Sequence, residues 1–283
     1  MECPIIGVFD SGVGGLSVLR ELEKAVPDGR FVYYADTAYC PYGEKTREYV
    51  LDRARTITEK LVGEGVQIVV VACNTATSAA IAALRAEYGT APSARVLELT
   101  GGRLDCVPFI GMEPAVKPAA LSTRTGVIGV LATAGTLHGS KYLDMKGRYA
   151  DGVKIVESVG RRFVELVEGS GLAEPYKKGC LFLSSARENG HGNPSLPKKN
   201  FDEKLAEDTV RTSLRPLIEA GADTVVLGCT HYPFLLPVLE KVAAELLEQH
   251  PLTDMDGKRV EKISFIDPAP AVAHRLLQIL GRA

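Results

Sequence analysis

Short runs of β-branched and other apolar residues recur along this chain, and longer segments of helical period separate them. The runs Ile5–Phe9, Arg30–Ala35, Gln67–Ala72, Gly126–Leu131, Thr224–Gly228 and Ser264–Ile266 read as strands. Between them, Leu16, Leu19 and Leu22 fall on one face of a helix over 16–25, and Leu51, Ala54, Ile57 and Leu61 align over 51–62. Ala80, Ile81 and Leu84 do the same in 77–88, as do Leu235, Leu239, Val242 and Leu246 further on. Strand-helix alternation of this kind predicts an α/β protein with parallel sheets and crossover helices.

The pattern also predicts two related halves. Cys73 in QIVVVACNTATSAA and Cys229 in DTVVLGCTHYPFLL each follow a buried-strand run, carry Thr or Asn just after, and lead into a segment that can wind as helix. The opening GVFDSGVGGLSVL has an echo in GVIGVLATAGTLHGS, which places Thr133 where Asp10 stands in the first half. Asp10 to Cys73 is 63 positions, whereas Thr133 to Cys229 is 96. The longer spacing is accounted for by residues 171–204, rich in Gly, Pro, Asn and Lys, which read as an insertion forming a surface loop or small subdomain. The expectation is two similar parallel-sheet domains related by pseudo-symmetry, with the site in the cleft between them. Residues 1–97 plus 255–283 would form the first domain, and 98–254 the second.

A chain of 283 residues with 46% hydrophobic and 24% charged content can bury a full core, and the length favours about two domains. With 33 basic against 35 acidic residues there is no electrostatic case for nucleic acid, so a small solute is the expected partner. MECPIIGVFDSG enters a strand almost at once, unlike a signal peptide, and no apolar run approaches the roughly 20 residues of a membrane span. Six scattered cysteines without a Cys-x-x-Cys pair argue against a zinc cluster, a thioredoxin-type centre and a disulfide framework. A reduced, cytoplasmic protein without a bound metal is expected.

Strand carboxyl ends are where open α/β sheets bind ligands, and a following helix N-terminus favours thiolate. Two thiols at such ends suit a reaction needing a proton-transfer group on either face of a substrate, as racemisation does. The DSGVGG loop does not fit a nucleotide frame, because Ser17 stands where G-x-G-x-x-G needs its last glycine and no GK[ST] follows. Asp10 there would repel phosphate and attract an ammonium group. His231, two positions from Cys229, would share its side of an extended segment and could exchange the thiol proton, or could satisfy local backbone groups. Cys40 stands in a loop that could line the cleft.

DSGVGGLSVL, ADTAYCPYGEK, VACNTATSAA, GMEPAVKPA and GCTHYPFL, in this order, resemble glutamate racemase, of the cofactor-independent aspartate/glutamate racemase superfamily. The resemblance covers nearly the whole chain outside the insertion. It implies two α/β domains with the active site between them, Cys73 and Cys229 as the paired acid and base, and substrate contacts at Asp10, Ser11, Pro41, Tyr42, Gly43, Asn74, Thr75, Thr230 and His231. It also implies a homodimer and a role in supplying D-glutamate for peptidoglycan. Gly160 and Arg161 stand where the family usually has Cys-Pro. Glu168 matches the family's acidic residue by its LVE context, or is a surface helix carboxylate.

No lysine-centred pyridoxal phosphate site is recognisable, so no cofactor is expected and the two thiols must do the proton transfer. Asp10 would assist Cys73, and His231, with Glu168, would assist Cys229. Backbone amides near Ser11, Gly43, Asn74 and Thr230 would hold the substrate carboxylates. A racemase of aspartate or of a hydantoin, and an amino-acid-binding protein whose thiols do no chemistry, are the alternatives.

Overall fold

In a computed structural model of the chain, the described residues are 3–149, 152–170, 172–173, 181–184 and 201–283. Strands β1 (Ile5–Asp10), β2 (Arg30–Ala35), β3 (Ile68–Val71), β4 (Phe109–Gly111) and β7 (Leu181–Ser184) form one sheet in the order β4-β3-β1-β2-β7. Strands β5 (Val127–Ala132), β6 (Lys154–Val159), β8 (Thr224–Gly228) and β9 (Ser264–Ile266) form a second, ordered β6-β5-β8-β9. Every ladder in both sheets is parallel. The two-sheet parallel α/β architecture is therefore the one the hydrophobic pattern predicts.

Strands β3 and β5 are apolar from end to end because helices cover both faces. All four residues of β3 and all five of β8 are buried. The helix Leu16–Ala25 buries Leu16, Val18, Leu19 and Leu22, and the helix Arg47–Gly63 starts at Thr46, whose hydroxyl caps the Tyr49 N–H at 3.3 Å. One continuous apolar cluster joins Ile6 and Val8 of the first sheet to Val225 and Leu227 of the second.

Topology explains why the halves match. Strand β1 lies between β3 and β2, and β5 lies between β8 and β6. Cys73 after β3 and Cys229 after β8 therefore occupy equivalent places, and so do Asp10 at the end of β1 and Thr133 just past β5.

Sheet membership departs from the expected division at residues 97 and 255. Strand β4 joins the first sheet, although it lies beyond residue 97, and β9 pairs with β8 in the second. The closing helix Ala269–Ile279 does return to the first half, against Leu16–Ala25. Within 171–204, expected as a loop or small subdomain, Leu181–Ser184 is an edge strand pairing with β2. Residues 171, 174–180 and 185–200 of that segment lie outside the described residues. Three strands escaped the sequence pattern for physical reasons. Strand β4 has only three residues, β6 is a half-exposed edge strand, and β7 sits inside a polar, proline-rich stretch.

Candidate active site

The cleft between the two sheets is lined by Ser11, Pro41, Tyr42, Gly43, Cys73, Asn74, Thr75, Cys229, Thr230 and His231, all singled out from sequence. Thr133, Thr136, Val164 and Gly228 complete the wall. Asp10 and Glu168 do not line it. They stand behind it, Asp10 fully buried beneath the glycine loop and Glu168 behind His231.

Cys73 ends β3 and caps the helix Asn74–Tyr88, so its sulfur accepts the Ala76 N–H at 3.4 Å. Its thiol also points to the Ser11 hydroxyl at 3.9 Å. Burial pushes this thiol far above its ordinary pKa, and the nearby Asp10 carboxylate adds to the rise. The helix-end N–H opposes both and is outweighed. A buried anion next to another is disfavoured until a cation joins them.

Cys229 does not repeat this arrangement. The chain after β8 makes a turn and a 3-10 segment, Tyr232–Leu235, before the helix Leu236–Gln249 begins. Pro233 and Pro237 sit at the starts of these two elements and delay the helix. The sulfur of Cys229 therefore meets His231 rather than a helix terminus, at 3.7 Å from Nδ1. The sequence placed both on one side of an extended segment, whereas a turn brings them together.

His231 is 1% exposed, and its Nε2 lies 2.7 Å from Glu168 Oε1. The same oxygen accepts the Val13 N–H at 2.7 Å. Glu168 is thus no surface carboxylate: it ties the helix Phe163–Ser170 to the glycine loop and to the histidine. Burial alone would lower the pKa of His231, but hydrogen bonds with Cys229, Cys40 and Glu168 raise it well above 6.5. Cys40 sits behind the wall, with its thiol 3.8 Å from Glu168 Oε1, and burial pushes that thiol up to about 11.

The glycines of the DSGVGG loop are there because side chains crowd it. A Cβ on Gly12 would stand 1.8 Å from Glu168 Oε1, and one on Gly14 would stand 2.4 Å from His231 Nδ1. Asp10 accepts the Gly15 N–H at 2.7 Å and the Thr230 hydroxyl at 3.2 Å, which joins the halves at the floor of the cleft. Burial raises the Asp10 carboxyl above its ordinary value, against the opposing pull of the His231 charge and the Gly15 N–H.

Opposite this floor, Thr75, Thr133 and Thr136 form a triangle of hydroxyls 3.0 to 3.3 Å apart across the two halves. Sequence reasoning named Thr75 alone. The signal for Thr133 was present, since it follows a strand end as Asp10 does. Tyr42 is held by Asp36, which accepts its phenol proton and is gripped by Arg53 through two bonds of 2.7 and 2.9 Å. Oδ1 of Asp10 and both polar atoms of the Asn74 amide are buried with no partner among the described residues. Buried orphans of this kind at a cleft suit a ligand bearing both donors and acceptors.

Two parallel α/β halves that each present a strand-end thiol to one shared cleft define the class of fold and site. No protein-family model matches the chain. It is 37% identical over 277 residues to the glutamate racemase of Ectopseudomonas mendocina, covering 98% of this chain and 82% of that protein. It is 38% identical over 276 residues to that of Pseudomonas putida, covering 98% and 81%. In structure it matches Escherichia coli glutamate racemase in complex with L-glutamate and the activator UDP-MurNAc-Ala, with a TM-score of 0.64 and 30% identity over 99% of this chain and 83% of that one. The chain belongs to the glutamate racemase family, whose members are cofactor-independent isomerases. Among the described residues no helix is long and apolar enough to cross a membrane.

Proposed function

We propose that this protein interconverts L-glutamate and D-glutamate by passing protons between Cys73 and Cys229, and so supplies D-glutamate for peptidoglycan as a cytoplasmic homodimer. The observation that carries the reading is the pair of thiols from topologically equivalent strand ends, both lining one cleft. In each direction one thiolate takes the α-proton from one face of the substrate and the other thiol gives its proton to the opposite face. The product leaves with one proton exchanged, and the two sulfurs have swapped states.

The substrate's charges complete the electrostatics. An α-ammonium group beside Asp10 offsets the buried negative charge that otherwise holds Cys73 protonated, so binding and thiolate formation reinforce each other. His231, backed by Glu168, exchanges the proton of Cys229 and stabilises its thiolate. The orphaned Asn74 amide and the N–H groups near Ser11, Gly43 and Thr230 receive the carboxylates.

The test is circular dichroism of purified protein with each enantiomer, together with deuterium uptake at Cα. Signal decay from both L- and D-glutamate is expected, with a fall of roughly 10²-fold or more in Cys73→Ser and Cys229→Ser. Near wild-type turnover in either variant would overturn the two-thiol scheme. Binding without Cα exchange would show a binding protein, and faster turnover of aspartate or hydantoins would reassign the substrate.

A further inference from the structure

Beside the cleft, three side chains from distant parts of the chain meet. The Cys40 sulfur, the His231 nitrogen and a Glu168 carboxylate oxygen all lie within 4.8 Å of one another. We propose that these three groups form a site for a thiophilic divalent cation of the zinc type, and that the bound ion holds the protein inactive. The binding half of the proposal stands on this geometry alone, and the inactivation half rests on the racemase reading.

The two edges that meet at Glu168 are close to those of a tetrahedral site, and the third, between Cys40 and His231, is within 4.8 Å. Metal–sulfur bonds of about 2.3 Å and metal–nitrogen or metal–oxygen bonds of about 2.0 Å give ligand–ligand edges of roughly 3.3 to 3.5 Å. Here the Cys40 Sγ to Glu168 Oε1 edge is 3.8 Å and the His231 Nε2 to Glu168 Oε1 edge is 2.7 Å. Each needs a shift of roughly 0.6 Å or less to fit such an ion. The donor set is one thiol, one imidazole and one carboxylate, with a fourth position left for water.

The supporting shell is already in place. The Val13 N–H orients the Glu168 carboxylate at 2.7 Å, and the Thr230 hydroxyl lies 3.4 Å from the other imidazole nitrogen of His231. Gly12 presses directly on the cluster, since a Cβ there would stand 1.8 Å from Glu168 Oε1 and 3.1 Å from Cys40 Sγ. Cys40 and Glu168 are only partly buried, so an ion can enter from their side. On binding, the Cys40 S–H bond breaks, its proton leaves to solvent, and the sulfur's electron pair forms the bond to the metal.

The consequence for turnover follows from His231. Binding at Nε2 breaks the N–H bond that faces Glu168, its proton leaving to solvent like that of Cys40; the freed lone pair forms the bond to the metal, and the remaining ring proton is held on Nδ1, the nitrogen 3.7 Å from Cys229 Sγ. The ring then cannot cycle a proton with Cys229.

The test uses Co²⁺ as a coloured probe on the full-length protein, followed by Zn²⁺ competition and glutamate turnover. One Co²⁺ per chain with a thiolate-to-metal charge-transfer band is expected, displaced by Zn²⁺ and reversed by a chelator. Cys73→Ala and Cys229→Ala should keep the band, while Cys40→Ala and Cys40→Ser lose it. Zn²⁺ inhibition of those last two, scaled to each variant's own metal-free rate, should need about tenfold more metal or beyond, since even an outer-shell loss weakens metal sites by about 10- to 100-fold. Glu168→Gln, read by the same spectrum, supplies a second ligand variant should the Cys40 variants fold poorly. A band that survives in Cys40→Ala, or that vanishes only without Cys73 or Cys229, overturns the site. Unaltered turnover at full occupancy overturns the inactivation. A chain without any glutamate turnover would defeat the racemase reading while the Co²⁺ spectrum still decided the site.

Discussion

Gly12→Ala probes whether the glycine loop exists to let Glu168 reach His231. The added Cβ would stand 1.8 Å from Glu168 Oε1 and 2.7 Å from its Cδ. Ordinary contact needs about 3.5 Å, so the carboxylate oxygen must retreat by roughly 1.7 Å. That retreat breaks the bonds to the Val13 N–H and to His231, both 2.7 Å long. Each is charge-assisted and contributes about 1.5 to 3 kcal/mol. The Glu168 side chain is 14% exposed, and the displaced carboxylate recovers part of this from water. The net loss expected is about 2 to 4 kcal/mol.

Urea unfolding of the wild type, Gly12→Ala, Glu168→Ala and the double variant measures this loss. In the Glu168→Ala background the glycine substitution should cost under about 1 kcal/mol, because the group it displaces is gone. Glutamate turnover by Gly12→Ala should fall together with the loss of His231 support. Additive costs in the cycle, or a single-variant loss below about 0.5 kcal/mol, would refute the reasoning.

Three further outcomes follow from the same geometry. In Glu168→Gln the His231 pKa, followed by NMR of its ring protons, should drop; because the folded value is raised, its stabilising contribution is complete below about pH 6.5 and disappears as pH rises through the folded pKa, so the stability gap between wild type and variant should narrow on going from pH 6 upward. Asp36→Asn strips the charge from a fully buried carboxylate gripped by Arg53 and should cost about 3 kcal/mol by chemical denaturation, at the low end for a buried pair because Arg53 is 17% exposed, with a higher KM as Tyr42 loosens. Thr133→Val removes a hydroxyl shared across the halves by Thr75 and Thr136 and should raise the KM for glutamate more than it lowers kcat, as steady-state kinetics in both directions would show.

The local parts of the site were legible because they depend on near neighbours. A buried apolar run ending in Cys73 or Cys229 announces a strand end, and the glycines after Asp10 announce a turn packed against something. Glu168 was ambiguous from sequence, since the LVE context cannot distinguish a helix face turned to solvent from one turned to His231, which lies 63 residues further on. Likewise, no pattern at Cys40 hints that its thiol meets a carboxylate 128 residues away.

The order of apolar and polar residues by itself determined the α/β class, six of the strands (β1, β2, β3, β5, β8 and β9) and the placing of two thiols at equivalent strand ends. Hydrophobic period is short-range information, carried within a single turn or pleat. Only the tertiary structure decided which sheet β4, β7 and β9 would join, that Pro233 and Pro237 would set Cys229 against His231 instead of a helix terminus, and that Glu168 would be drawn to the Val13 N–H and the imidazole behind the cleft. Those outcomes depend on how two sheets pack across one shared core, a balance of long-range contacts that no window of sequence contains.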